Sequence, residues 1–362
     1  MKTGKTLMEL ATEVELQAKA KKDYVVPTSR MRMTQTATLA LDGVGEFDFT
    51  EHAHEQLAQR LDIPRKYYDR MRPFPGILQA NVNHWFGTEP EKRMVRTFQN
   101  GSDSNSVRAI LSDKYHRFDN FDLMVHILPI LKGLGKDVVV ASSEITERKL
   151  YLKVVFPKMQ QAVKVGDIVQ SGLMISNSEV GCASFQLTRF LFSLRCTNGM
   201  VMEDGRTRRY HVGRRQGDDE GISHLLSDEA VRADDKSFWL KVRDLTKVAA
   251  TDDVEFTRQV RKLKDATKQT VEAQPVDAID ALADAFVLNE SEQNATLQHF
   301  IRDGDNSLYG LAQAVTRASA DVQSYDRATE LEKLGGQLIN ISGADWQVIS
   351  KASMNQTMKG AA

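Results

Sequence analysis

From Ile222 to Asp303 the chain contains no glycine and a single proline, Pro275. So long a stretch without the residues that punctuate turns leaves few ways to fold. Its apolar positions, Val276, Ile279, Leu282, Ala283 and Phe286, then Leu297, Phe300 and Ile301, recur at helical spacing. That places one buried stripe on each helix and is not the alternation of a strand. The pattern continues through 307–315 and 322–334, so the C-terminal part is predicted to be a helical bundle. A tail rich in Met, Lys and small residues from Ser350 is expected to fray.

Upstream the texture changes. Segments 24–35 and 36–49 are rich in β-branched and alternating residues, with Asp42-Gly43 as a hairpin signal. Thr50 is placed to cap a short helix, and a second helix is predicted over Asn120–Gly133, ended by Gly133 and Gly135. Segments 138–145 and 149–156 flank a tight polar turn, and 168–176 and 183–194 form another long pair. The latter carries apolar residues on both faces, Phe185, Leu187 and Leu191 on one and Phe190, Phe192 and Leu194 on the other. Such a strand must be covered on both sides, by its own helices or by a second subunit, and a homo-oligomer is expected. Hairpins with few intervening helices predict an α+β fold: a mostly antiparallel sheet domain, 1–216, and a helical domain, 217–362. A chain of 362 residues fits about two domains.

Charge divides at the same place. Residues 1–216 carry 32 Lys and Arg against 24 Asp and Glu, and residues 217–362 carry 16 against 25. A basic working domain beside an acidic one that covers it or repels wrong partners would give this sign change, and so would plain solubility. No apolar run is long enough to span a bilayer, and the N-terminal stretch breaks any signal-peptide core with Glu9, Glu13 and Glu15. Two cysteines, Cys182 and Cys196, make no disulfide framework. A cytoplasmic protein with no membrane partner is expected.

The strongest constellation is Arg206 to Arg215, RTRRYHVGRR, with five arginines, a tyrosine and a histidine in ten residues. In an extended strand Arg206, Arg208 and Tyr210 share one face, and Arg209 and His211 the other. Guanidinium forks suit phosphates and tyrosine offers a stacking face, which points to nucleic acid. A solvated edge strand, or pairing with the acidic domain, would use the same residues. Arg189 and Arg195 add charge, and Arg214 and Arg215 close the run.

Over 57–71 a short helix, a turn at Asp62-Ile63-Pro64 and a second helix bearing Arg65, Lys66, Tyr67, Tyr68, Arg70 and Arg72 suggest a helix-turn-helix. Pro73 and Pro75 stop the second helix too early for a recognition helix, so a helical corner with a basic surface is expected.

In 111–120, Ser112, Asp113, His116 and Asp119 lie too close in sequence for a triad. Asp119 or Asn120 is expected to cap the following helix, and Lys114, Tyr115 and Arg117 to reach a phosphate backbone. His52 and His54 point to different sides of a helix, and the cysteines have no ligand-spaced neighbours, so no metal site is expected. Phosphate-binding loops and common hydrolase motifs are absent, and no cofactor or catalytic set is predicted. Cys196 is read as a buried residue at an Asn198-Gly199 turn rather than as a nucleophile beside His211.

IPRKYYDRM (63–71), NVNHWF (81–86), RAILSDKYHRFDN (108–120), NSEVGCASF (177–185), FSLRCTNGMV (192–201) and SYDRATELEKLGG (324–336) run in one order along the chain. Over about 50–340 this resembles the phage/plasmid-like family, whose setting is mobile DNA. The resemblance implies a role in replication, recombination or their regulation, and no catalytic residues. Together with the arginine run it leads to an expected ATP-independent single-stranded DNA binding or annealing protein. Its contacts would be Arg195, Arg206, Arg208, Arg209, Tyr210, Arg214 and Arg215, with Lys114, Tyr115 and Arg117. The alternative is a protein-interaction factor, anti-defence or regulatory, that docks an acidic partner through the basic strand.

Overall fold

The computed structural model describes residues 1–88, 90–99, 105–115, 117–202 and 228–352. Strands fill the N-terminal part and helices the C-terminal part, an α+β fold. Helix α1 (Leu7–Ala20) opens with a capping box, Thr6 accepting from the Glu9 amide while Glu9 accepts from the Thr6 amide. A first sheet follows, made of β1 (Lys21–Pro27), β2 (Met31–Met33), β3 (Leu39–Leu41), β4 (Gly45–Phe49), β5 (Lys92–Gln99) and β6 (Asn105–Ser112). Its order is β1-β5-β6-β4-β3-β2, antiparallel throughout except where β4 meets β6. Asp42-Gly43 turns β3 into β4, with Leu39 opposite Phe47 and Gly43 at φ +75°. The predicted continuous strand over 24–35 is instead broken by a 3-10 turn at Thr28–Arg30, directly after Pro27.

Helices α2 (Glu51–Arg60), α3 (Arg65–Met71) and α4 (Pro75–Thr88) pack on this sheet around Phe47, Leu57, Tyr68, Leu78, Val82 and Val95. Thr50 caps α2 as its position predicts, accepting from the Ala53 amide. Asn83 of α4 acts on β2: its side chain accepts from the Met33 amide at 2.7 Å and donates to the Met33 carbonyl at 2.9 Å. The amide group occupies backbone sites that would otherwise invite another strand.

His54 sits in this core, stacked on Phe49 with ring centroids 4.7 Å apart and with Nδ1 2.9 Å from the Tyr68 hydroxyl. Burial, helped by Arg72, pushes its imidazole from 6.5 down to about 4. A folded value below the unfolded one means full stability above about pH 6.5, lost as pH falls toward 4. The loss across that window should approach about 3 kcal/mol. Urea titrations at stepped pH should show this slope in the wild type and a flatter one in His54→Gln. Parallel slopes would show that His54 does not set it.

The second sheet is an antiparallel meander, β7 (Val139–Ile145), β8 (Leu150–Lys164), β9 (Asp167–Asn177), β10 (Gln186–Ser193) and β11 (Asn198–Val201), after helix α5 (Asn120–Gly133). Helices α6 (Asp228–Ala249), α7 (Asp253–Ala266), α8 (Pro275–Phe286), α9 (Glu290–Asp303), α10 (Leu308–Ala318), α11 (Tyr325–Ile339) and α12 (Gly343–Ser350) complete the chain. Pro275 stands in the first turn of α8, where its missing amide hydrogen costs nothing.

Most of the hairpin's apolar residues are covered from within the chain. Phe185, Leu187 and Leu191 join the main core with Leu150, Leu152, Leu10 of α1, Leu123 and Ile127 of α5 and Phe238 of α6. Phe190 joins Tyr151, Val155, Met174 and Val201 under Tyr325 of α11. The chain's own helices thus supply much of the cover for which a second subunit was expected, while Phe192 is half-buried and Leu194 is 41% exposed. The main core also unites strands of 150–202 with helices of 256–349, so residues on the two sides of the predicted division at 216/217 pack together. Residues 216–221 themselves lie outside the described residues. Among the described residues no helix is long and apolar enough to cross a membrane.

Candidate functional site

The loop from β9 to β10, which carries NSEVGCASF, meets the first sheet through a buried ionic node. Arg96 of β5 is fully buried and donates from Nε to Asp23 at 3.0 Å, from Nη1 to the Glu179 carbonyl at 2.8 Å and from Nη2 to Asp119 at 2.7 Å. Arg108 of β6 donates to Glu179 at 2.8 Å, and Lys21 pairs with Asp119. Burial opposes the Arg96 charge, but Asp119 and Asp23 outweigh it and push the guanidinium up. Burial likewise works against ionised Asp119, yet Arg96 and Lys21 hold it below the ordinary carboxylate range.

Asp119 therefore occupies the N-cap position of α5 without capping it: its side chain makes no bond to the helix amides. Glu179 does that work, accepting from the Asn120 amide at 2.7 Å, and Asn177 donates to Asn120 Oδ1 at 2.8 Å. The expectation that Asp119 or Asn120 caps α5 fails: Arg96 and Lys21 compete for the Asp119 carboxylate, and Asn120 is already the first residue of the helix.

Beside this node opens a cleft of about 550 Å³, walled by α2, the 148–149 turn, the 181–182 loop and the first turns of α11. Gly181 holds the loop at φ +78°, and a Cβ there would meet Leu111 Cδ2 at 2.7 Å. Cys182 Sγ lies 3.3 Å from His52 Nε2 and 3.7 Å from Nδ1, nearly equidistant, which sets sulfur over the ring face rather than in line with a lone pair. His52 Nε2 is also 3.0 Å from the Val180 carbonyl. A carbonyl only accepts, so that nitrogen carries the proton and is not a base for the thiol. Burial pushes the Cys182 thiol up against the pull of Arg148. The rim holds the Arg148–Glu55 pair, Arg327 bonded to Glu330 at 2.8 Å, and Asp326, which accepts from the Tyr151 hydroxyl at 2.7 Å. The cleft is lined by polar and charged side chains, and its thiol is held toward the protonated form by burial. Among the described residues no group of three His, Cys, Asp or Glu is placed to hold a metal ion.

The predicted contact residues are dispersed. Arg206, Arg208, Arg209, Tyr210, Arg214 and Arg215 lie outside the described residues, as do His116 and His211. Arg195 is exposed in the turn between β10 and β11. Lys114 is exposed, and Arg117 is exposed but 3.4 Å from Asp23. Tyr115 is half-buried beside Leu111 and Val180, its hydroxyl donating to the Ser178 carbonyl at 3.2 Å, so its ring is committed to the protein. Arg189 is bonded to Asp252 of α7 at 2.8 Å. Cys196 is half-buried, and burial pushes its thiol up.

In the 57–71 corner, Arg65 bonds Asp69 at 2.7 Å and Arg72 bonds Glu51 at 2.5 Å, while Tyr68 is buried. Lys66, Tyr67 and Arg70 stay exposed.

Sequence reading missed the ionic node and the cleft. A signal for the node was present: Arg96, Arg108 and Lys153 each stand among apolar strand neighbours, in MVRTF, VRAIL and LYLKVVF, and a charge there needs a buried partner. Compared with family models, curated proteins and solved structures, the chain matches none of them.

Proposed function

We propose that the chain binds single-stranded DNA without a nucleotide cofactor, in the recombination or replication of a mobile element, the setting implied by its resemblance to the phage/plasmid-like family. One observation supports this reading. The ten residues Arg206 to Arg215 carry five arginines and no acid, and three carboxylates on or against the second sheet are already engaged. Asp167 accepts from Ser193 and Tyr309, Asp252 holds Arg189, and Glu332 holds Lys153. A phosphate backbone offers the run a continuous line of negative charge.

Replacing Arg206, Arg208 and Arg209 together by alanine should weaken binding to single strands and flatten log affinity against log salt by about two units. Tyr210→Ala should weaken binding by about 1–3 kcal/mol and leave that slope nearly unchanged. Anisotropy titrations at three salt concentrations measure both, and a slope indifferent to the triple substitution removes the phosphate assignment.

A second reading, a protein-interaction factor whose basic strand docks an acidic partner, is favoured by the Arg189–Asp252 pair, in which an arginine of the sheet already meets a carboxylate of the C-terminal half. If the arginines instead pair with the acidic C-terminal part of the same chain, the triple variant should have a lower melting temperature and unchanged DNA affinity.

A further inference from the structure

The face formed by α3 and α4 carries the inference furthest. Helix α4, Pro75–Thr88, contains no Asp, Glu, Lys or Arg, yet it is open to solvent along Gly76, Ile77, Ala80, His84 and Gly87. An exposed helix face without charge departs from the usual amphipathic pattern. At the α3 end, Lys66 and Tyr67 lie one turn before Arg70 on α3, and Phe74 and Ile77 follow at steps of four and three, all five exposed. Tyr67 is 48%, Phe74 58% and Ile77 51% exposed, so two aromatic rings and an isoleucine lie uncovered within eleven residues of chain.

Charge on this face is one-sided. The carboxylates within reach, Glu51 and Asp69, are bonded to Arg72 and Arg65. Lys66 and Arg70 make no ion pair among the described residues. What remains is two uncompensated cations among uncovered rings, beside a fourteen-residue helix with no carboxylate to repel an anion.

We infer that this face is a contact surface for single-stranded nucleic acid, with Lys66 and Arg70 on phosphates and Tyr67 and Phe74 stacked on bases. The inference rests on the proposed function and adds a second place where a strand is held. Cations beside aromatic faces are the combination that sequence-tolerant single-strand binding uses, because every base has a face to stack and every nucleotide a phosphate. A wholly apolar partner would leave the two cations without counter-charge, and an acidic peptide would leave the rings without stacking partners.

The test uses the full chain and a fluorescein-labelled oligothymidylate of about twenty nucleotides. Tyr67→Ala with Phe74→Ala should weaken binding roughly five- to hundred-fold for each ring that stacks, with the salt slope nearly unchanged. Tyr67→Trp with Phe74→Trp should bind at least as tightly as the wild type. Lys66→Ala with Arg70→Ala should flatten the slope by about 1.4. These positions are exposed, so melting curves should superimpose.

Wild-type affinity in the double-alanine ring variant, while the Arg206, Arg208 and Arg209 triple variant loses binding, would overturn this inference and leave the proposed function standing. A wild-type chain that binds no oligothymidylate at about 50 mM salt would overturn both. Ring variants that keep DNA affinity but lose self-association in light scattering would assign the face to a second copy of the chain instead.

Discussion

Arg96→Ala is expected to cost about 3–5 kcal/mol of stability, among the largest effects a single substitution in this chain can have. The side chain is fully buried and bonded to Asp23, Asp119 and the Glu179 carbonyl at once. Among the described residues, removing it leaves Asp23 with Arg117 alone and Asp119 with Lys21 alone, and the Glu179 carbonyl without its donor. Arg96→Lys should recover only part of the loss, because one ammonium cannot hold three acceptors in the fork geometry of a guanidinium. The node should also respond to acid. Asp119 sits below the ordinary carboxylate range in the fold, so its contribution is complete above the unfolded value and disappears as pH falls through the lower folded one. Urea midpoints at neutral pH for the three proteins decide the matter. A loss under about 1 kcal/mol for Arg96→Ala would mean the node is solvated rather than buried.

The second large effect lies at Lys153, on the face of β8 that looks at α11. Its Nζ donates to Glu332 at 2.6 Å and to Thr329 at 3.1 Å, and it sits 4.7 Å over the Tyr325 ring. Both charged residues are about 1% exposed. Burial opposes the ammonium, but Glu332 more than compensates and keeps it protonated. Lys153→Met alone should therefore cost about 3–5 kcal/mol, since it leaves Glu332 charged and unanswered. Adding Glu332→Leu should return the stability to near the wild type or up to about 4 kcal/mol above it, because two desolvation costs vanish together. This cycle has a sign that strain or cavity formation would not reproduce. If the two losses simply add, the residues do not act as a pair.

The sequence is more informative about backbone than about charge. Thr50, Asp42-Gly43, Gly133 and Pro275 each announce a turn or a helix end through local chemistry, and the structure places them there. The glycine-free stretch after Ile222 resolves from Asp228 onward into α6, α7, α8 and α9, since helical spacing needs no distant partner to be recognised. The ionic node is different. Asp23, Arg96, Arg108, Asp119 and Glu179 come from five separated segments, and local pattern cannot say which acid meets which base. Asp119 is the instructive residue: beside a helix start, an acid reads as a cap until tertiary structure supplies Arg96 and Lys21. The Cys182–His52 contact was hidden for the same reason, being made between segments 130 residues apart.

Helix α11 lies on the second sheet closely enough that a side chain at Gly336 would collide with the Val201 carbonyl. That fit sets an order in time. During synthesis β11 emerges well before α11, and at ribosomal speeds of about 5–20 residues per second the face of Tyr151, Val155, Met174 and Phe190 waits several seconds or more for its cover. Until then it is an apolar sheet surface with a buried-type lysine and no counter-ion. A nascent chain in that condition is a natural client for a chaperone, and slowing translation across α6 to α10 should lengthen its exposure and lower the yield of folded protein.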